Sequence, residues 1–125
     1  RMADAFSVEF AKLPISYRMD YAVIKGGQIS GFVEVKSRNM TWGQYPNVIL
    51  SMSKVEKACS YFDLLKLPSL LLVATTDGLI HYTHMHDVPT NSRLEFSGRT
   101  VNTRDSADIE PCYHIPNERF SKLDG

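Results

Sequence analysis

The sequence predicts an α/β chain of the α+β type, in which a central mixed sheet is flanked by helices. Three observations carry this. Residues 69–75, SLLLVAT, are an unbroken apolar run, with the length and composition of a strand buried on both faces. Upstream, two alternating segments flank KGGQ, the pattern of an antiparallel hairpin. Between hairpin and run, Met52, Val55, Cys59, Phe62 and Leu65 recur at helical spacing and Pro68 follows, which marks a helix and its end.

Taken in order, residues 2–12 suggest a first helix: Met2, Phe6 and Phe10 step by four, with Ala3, Ala5 and Leu13 nearby, and Pro14 ends it. Residues 15–24, ISYRMDYAVI, place Ile15, Tyr17, Met19, Tyr21 and Val23 at odd positions, a half-buried strand. In residues 29–37, Ile29, Val33 and Val35 share one face, and Ser30, Phe32, Glu34 and Lys36 the other. Residues 39–46, with Trp42, Gly43 and Pro46, form a loop, and NVILS a short third strand. Ser53-Lys54-Val55-Glu56 fits a capping box for the next helix. After the central run, Thr76-Asp77-Gly78 makes a turn and LIHYTHM a further strand. Residues 87–106 are polar and suggest a long loop. DIEPCYHIP is expected at a sheet edge, because its two prolines disfavour a central strand. NERFSKL suggests a short closing helix. No repeat, low-complexity segment or linker divides residues 1–125, so one domain is expected.

Composition narrows the partners. With 125 residues and 43% apolar content the chain can bury a core of its own. Fourteen basic and fourteen acidic side chains cancel, so no global field draws in nucleic acid. An anionic partner must be held by a local patch or through a metal. Cys59 and Cys112 belong to no CxxC pair, as expected of reduced thiols in a cytoplasmic protein. No apolar run approaches the ~20 residues of a membrane span. The chain opens at Arg1 inside an expected helix, so upstream residues are expected.

The hairpin can be treated as geometry. Both its strands carry apolar residues at odd positions, so paired residue numbers must sum to an even number. A sum of 54 centres the turn on Gly27, with an odd-length loop or a bulge. Asp20 then stands opposite Glu34, and Lys36 opposite Arg18. A tight Gly26-Gly27 turn gives an odd sum and breaks the face match. Opposed Cβ atoms lie about 4.5–5.5 Å apart, and like charges there are destabilising. Two offsets are open: a divalent cation on the two carboxylates, or a salt-bridged cluster in which Arg18 and Lys36 supply the positive charge. A lysine one step along from such a site can orient a water and move a proton, and a cation can polarise a phosphoryl oxygen.

Asp20 followed fourteen residues later by Glu34-Val35-Lys36, with MD where many members have PD, resembles the PD-(D/E)XK nuclease superfamily. The element order from residue 2 to 76 is similar too. ILSMSKVEKACSYFDLLKLPSLLLVATTDGLIHY resembles the second half of small nuclease-like proteins of bacteriophages. The resemblance implies a restriction-endonuclease-like core and a Mg²⁺- or Mn²⁺-dependent deoxyribonuclease, an endonuclease of the host cytoplasm acting as a homodimer. It further implies that Asp20, Glu34 and the Val35 carbonyl hold the metal and that Lys36 positions the attacking water. Besides Asp4, Glu9 is the candidate for a further acidic residue on the first helix, or else a solvated one. Some branches carry a Gln and a Tyr four apart on the helix after the core; this chain has Lys57 and Tyr61 there, a departure. The alternative is a nuclease-like domain that binds DNA or a protein without cutting.

Other residues admit two readings each. His84 and His86 in HYTHMH would share a strand face and suit zinc, but lack adjacent further ligands; with His81 they are otherwise polar strand-end residues. Arg18, Lys25, Arg38, Lys54 and Lys57 are candidate phosphate contacts, Lys54 in a helix's first turn where anions are favoured, or solvated cations. Ser37, Gln44 and Tyr45 lie near enough in sequence to touch a scissile strand. Trp42 either stacks on a base or anchors its loop.

Overall fold

The computed structural model describes residues 8–14, 17, 19–98 and 109–123. In chain order these form strands β1 (Glu9–Lys12), β2 (Tyr21–Lys25), β3 (Gln28–Arg38) and β4 (Asn47–Ser51), then helix α1 (Met52–Leu65). Strands β5 (Ser69–Thr75) and β6 (Ile80–His84) follow, then the short helix α2 (Val88–Asn91), and strands β7 (Arg93–Gly98), β8 (Ile109–Pro116) and β9 (Ser121–Lys122). Six strands make a mixed sheet in the order β1-β2-β3-β5-β6-β9; β4, β8 and β7 make a second sheet. Among the described strands only β3 and β5 pair in parallel. The chain passes between them through β4 and α1, because parallel neighbours need a crossover.

Strand β5 is central, as its composition requires. Leu71 and Val73 enter the main core with Phe32, Val55, Ala58, Val48, Leu50 and Ile115. Leu70 and Leu72 face the other way, beside Val33 and Val23. Helix α1 therefore covers the face of β3 that carries Phe32 and Glu34, with the Tyr61 ring stacked 4.4 Å from Phe32. Val33 is as buried as Phe32, so β3 has no wet face along this stretch. Glu34 is therefore buried although its strand carries apolar residues on the opposite face too.

The hairpin combines the two geometries that parity had set against each other. Gly26 and Gly27 both take positive φ, 59° and 79°, as a tight two-residue turn demands. Near the turn the sum is 53 (Ile24 opposite Ile29); beyond it the sum is 54 (Val23 opposite Gly31). A bulge at Ser30 absorbs the difference, and the Ser30 hydroxyl donates to the Val23 carbonyl at 3.3 Å. The turn thus lies between the two glycines and not on Gly27, yet the face match survives.

Other expectations change. Residues 9–12 are strand β1 paired to β2 rather than helix; the rest of that expected helix, residues 2–7, lies outside the described residues. The second strand begins only at Tyr21, and Ile15, Ser16 and Arg18 also lie outside them. The α1 cap is Ser51, whose hydroxyl accepts from the Ser53 amide, so Ser53 is already helical. The expected loop after residue 87 holds α2 and β7. NERFSKL forms a 3₁₀ turn and β9. Strand β8 is central in its sheet despite its prolines. Its pairing with β4 spans 112–116 and with β7 109–114. Pro111 and Pro116 each therefore have a neighbour on one side only, where a missing N–H costs no ladder bond.

Gly31 is required by close approach. A Cβ there would stand 2.7 Å from the Pro68 carbonyl oxygen, which accepts the Phe32 N–H at 2.9 Å. Gly31→Ala should lower stability by about 1–3 kcal/mol, as overpacking does, measurable by urea unfolding. A variant as stable as the parent would mean that β3 and the Pro68 segment part without cost.

Candidate active site

Glu34 and Lys36 stand on one face of β3, two residues apart, where that strand passes under the start of α1. Glu34 is only 4% exposed. A buried carboxylate needs a counter-charge, and the structure supplies it from the helix: Lys54 Nζ lies 2.6 Å from Glu34 Oε2. Of the salt-bridged cluster that was the other offset, Arg18 lies outside the described residues, and the ion pair seen on Glu34 comes from Lys54. Lys54 is accordingly not a free phosphate contact in this structure. Glu34 Oε1 is buried and has no hydrogen-bond partner.

Asp20 lies one residue beyond the last β2–β3 pair. Its N–H donates to the Val33 carbonyl at 3.0 Å, and its Oδ2 accepts from the Val35 amide at 2.8 Å. The carboxylate is thus folded against the backbone between Glu34 and Lys36. Lys36 is half-buried. Burial lowers its pKa most, and the charges of Arg38 and Lys54 add to this, against the opposing pull of Glu34.

Asp20, Glu34, Lys36, Arg38 and Lys54 are therefore brought to one region. Glu9 is not. It is exposed on β1 opposite Ile24, which pairs with Ile29 near the turn. Five residues along β3 separate Ile29 from Glu34, about 16 Å. Lys25 sits beside the same turn. Lys57 places its ammonium 5.5 Å over the Tyr61 ring, so the helix pair forms a surface cation–π contact. Arg18 lies outside the described residues.

The remaining aromatic and histidine candidates are absorbed by packing. Trp42 stacks on His81 at 3.8 Å and meets Phe120 edge-on, anchoring its loop. His86 stacks on Phe62 at 3.9 Å and meets His84 edge-on. Among the described residues no three His, Cys, Asp or Glu side chains converge to hold a metal. The zinc reading of His84 and His86 has no further ligand to complete it. Cys59 and Cys112 are both free thiols. No described helix is long and apolar enough to cross a membrane.

Buried His81 has a pH consequence. Burial pushes its pKa below the ordinary 6.5, with Asp77 opposing. The unfolded chain therefore binds the proton first as pH falls. The stability is fully present above about 6.5 and is lost as pH drops toward the depressed folded value. The melting temperature should fall between pH 7 and pH 5, and His81→Phe should remove that part of the fall. An identical pH profile in the variant would assign the effect elsewhere.

Which residues fit a divalent cation can be tested on Glu34. Its unpartnered Oε1 is a buried hard-oxygen acceptor, and Asp20 and the Val35 carbonyl supply others of the same kind, the donor chemistry of Mg²⁺ and Mn²⁺. They fit.

Comparison with known proteins identifies the family and the fold. Residues 1–123 match the protein family described as "Phage putative PDDEXK endonuclease". No curated protein matches the chain. Among solved structures the fold is similar to Hjc, a Holliday junction resolvase from the archaeal hyperthermophile Archaeoglobus fulgidus. The TM-score is 0.58 at 12% identity, over 98% of this chain and 84% of that one. That likeness shows the restriction-endonuclease-like core.

Proposed function

The chain belongs to the phage PDDEXK endonuclease family, and from that premise we propose that it hydrolyses DNA phosphodiester bonds as a Mg²⁺- or Mn²⁺-dependent endonuclease through Asp20, Glu34 and Lys36. One observation carries this: a buried glutamate with an unpartnered oxygen, on the same strand face as a partly desolvated lysine.

Asp20, Glu34 and the Val35 carbonyl would hold the cation. When bound, it would supply positive charge against the phosphoryl oxygens and acidify a water. Asp20 is kept in place by the Val35 amide, so its carboxylate needs little reordering. Lys36 orients the attacking water and shares its proton; an amine with lowered pKa is better matched to that task near neutral pH. Arg38, two residues further on, offers a guanidinium to the phosphate backbone. A chain with one such site cuts both strands of a duplex as two copies, so a homodimer in the host cytoplasm belongs to the same proposal.

A strand-cleavage assay tests this, using supercoiled plasmid and labelled single-stranded, duplex and branched DNA. Cutting is expected with Mg²⁺ or Mn²⁺ and none with chelator. Inertness on every substrate with both ions would sink the hydrolytic reading. The Lys54–Glu34 pair favours a second one, because it already neutralises the central carboxylate: a nuclease-like domain that binds DNA or a protein without cutting. That reading requires DNA or protein binding with equal inertness of the parent and Lys36→Ala.

A further inference from the structure

Beyond Lys36, the face of β3 opens into a cleft of about 460 Å³ whose walls include Arg38, Met40, Tyr45, Asn47, Ile49 and His114. Its size falls within the usual range for small-molecule sites. Arg38 follows Lys36 by two residues on the same face, a displacement of about 6.6 Å, on the scale of one nucleotide step. The two side chains are close enough for the Arg38 charge to act on Lys36.

Tyr45 distinguishes this cleft from a gap in packing. It is 56% exposed, whereas Trp42 three residues earlier is used up by His81 and Phe120. Its loop is nevertheless fixed. The Asn117 side-chain amide donates to the Tyr45 carbonyl at 2.6 Å. The Asn117 N–H donates to the Pro46 carbonyl at 3.0 Å, and the Gln44 N–H to the Thr41 carbonyl at 3.2 Å. A pinned, exposed aromatic beside an arginine is the combination that holds single-stranded nucleic acid, through stacking that any base can supply and charge that any phosphate can meet.

We propose that this cleft is a nucleotide subsite, seating one unpaired DNA nucleotide next to the phosphate at Lys36, with its base on Tyr45 and its phosphate on Arg38. The position of the reacting phosphate rests on the function proposed above; the subsite itself does not depend on cutting. A paired base has both faces covered by its stack, so the subsite selects single-stranded, forked or otherwise unpaired DNA.

The test is binding of a single-stranded oligonucleotide carrying 2-aminopurine, with Ca²⁺ in place of Mg²⁺, to the parent, Tyr45→Ala, Tyr45→Phe and Arg38→Ala. The parent should quench 2-aminopurine fluorescence, and the matching duplex should show no quenching. Tyr45→Ala should bind about tenfold or more weakly without quenching. Tyr45→Phe should retain both properties, and Arg38→Ala should lose affinity and salt sensitivity. Parent-like binding or quenching by Tyr45→Ala overturns the subsite. Cleavage by the same proteins separates the two proposals. Tyr45-dependent quenching without cutting leaves the subsite standing and removes the hydrolysis; cutting indifferent to Tyr45 does the reverse.

Discussion

Lys36→Ala should lower the single-turnover rate of DNA cleavage about 10²–10⁴-fold, the usual contribution of a positioned proton-transfer group, with binding in Ca²⁺ nearly unchanged. Lys36 is only half-buried, and Glu34 keeps its partner Lys54 when Lys36 is removed, so the fold should survive. Lys36→Arg should not rescue the rate. A guanidinium stays protonated and cannot share a proton with water. A loss appearing only in KM would mean that Lys36 binds substrate equally in ground and transition states. A rate within twofold of the parent would remove it from the chemistry.

Lys54→Met should destabilise the metal-free protein and sensitise it to metal. Removing one partner of a buried pair costs about 3–5 kcal/mol. Lys54 keeps 30% of its side chain exposed, and screening there reduces the expected loss to about 2 kcal/mol. That corresponds to a melting temperature lower by roughly 6–10 °C. Because Lys54 sits on the carboxylate that would hold the ion, the variant should bind Mn²⁺ more tightly. It should then regain stability as the ion is titrated in. Adding Glu34→Gln should restore much of the metal-free stability, since no buried charge is left alone, and abolish the response to Mn²⁺. Calorimetric melts across a Mn²⁺ series decide this. Equal responses in the parent and Lys54→Met would show that the pair does not compete with the ion.

How far such features were legible depends on the residue. The SLLLVAT run announced β5 because a strand covered on both faces carries one unmistakable signal. Phe6 and Phe10, four apart, suited a helix, but Phe10 pairs in β1 with Val23, and four residues hold too few periods to choose. Strand β7 was hidden because Arg93 and Glu95 alternate with Leu94 and Phe96 on a largely exposed edge. Pro111 and Pro116 misled because proline excludes a strand position only where a neighbour needs its N–H. Parity brought Asp20 and Glu34 to the right end of the hairpin. It assumed one dry face, however, and β3 has two, so the burial of Glu34 was invisible. The Lys54 contact joins positions 20 residues apart in different elements. Lys54 read in the sequence as a phosphate contact or a solvated cation, because nothing local links it to Glu34. Tyr45 stood out only by its nearness to the motif; the contact that fixes its backbone comes from Asn117, 72 residues later.

Whether the buried carboxylate belongs to a metal site can be measured directly, by anomalous diffraction from crystals of the parent grown with Mn²⁺. The account predicts a manganese peak between Glu34 and Asp20, in contact with Glu34 Oε1, with Lys54 displaced from Oε2. Crystals at saturating Mn²⁺ with no peak there, and Lys54 still paired to Glu34, would contradict it.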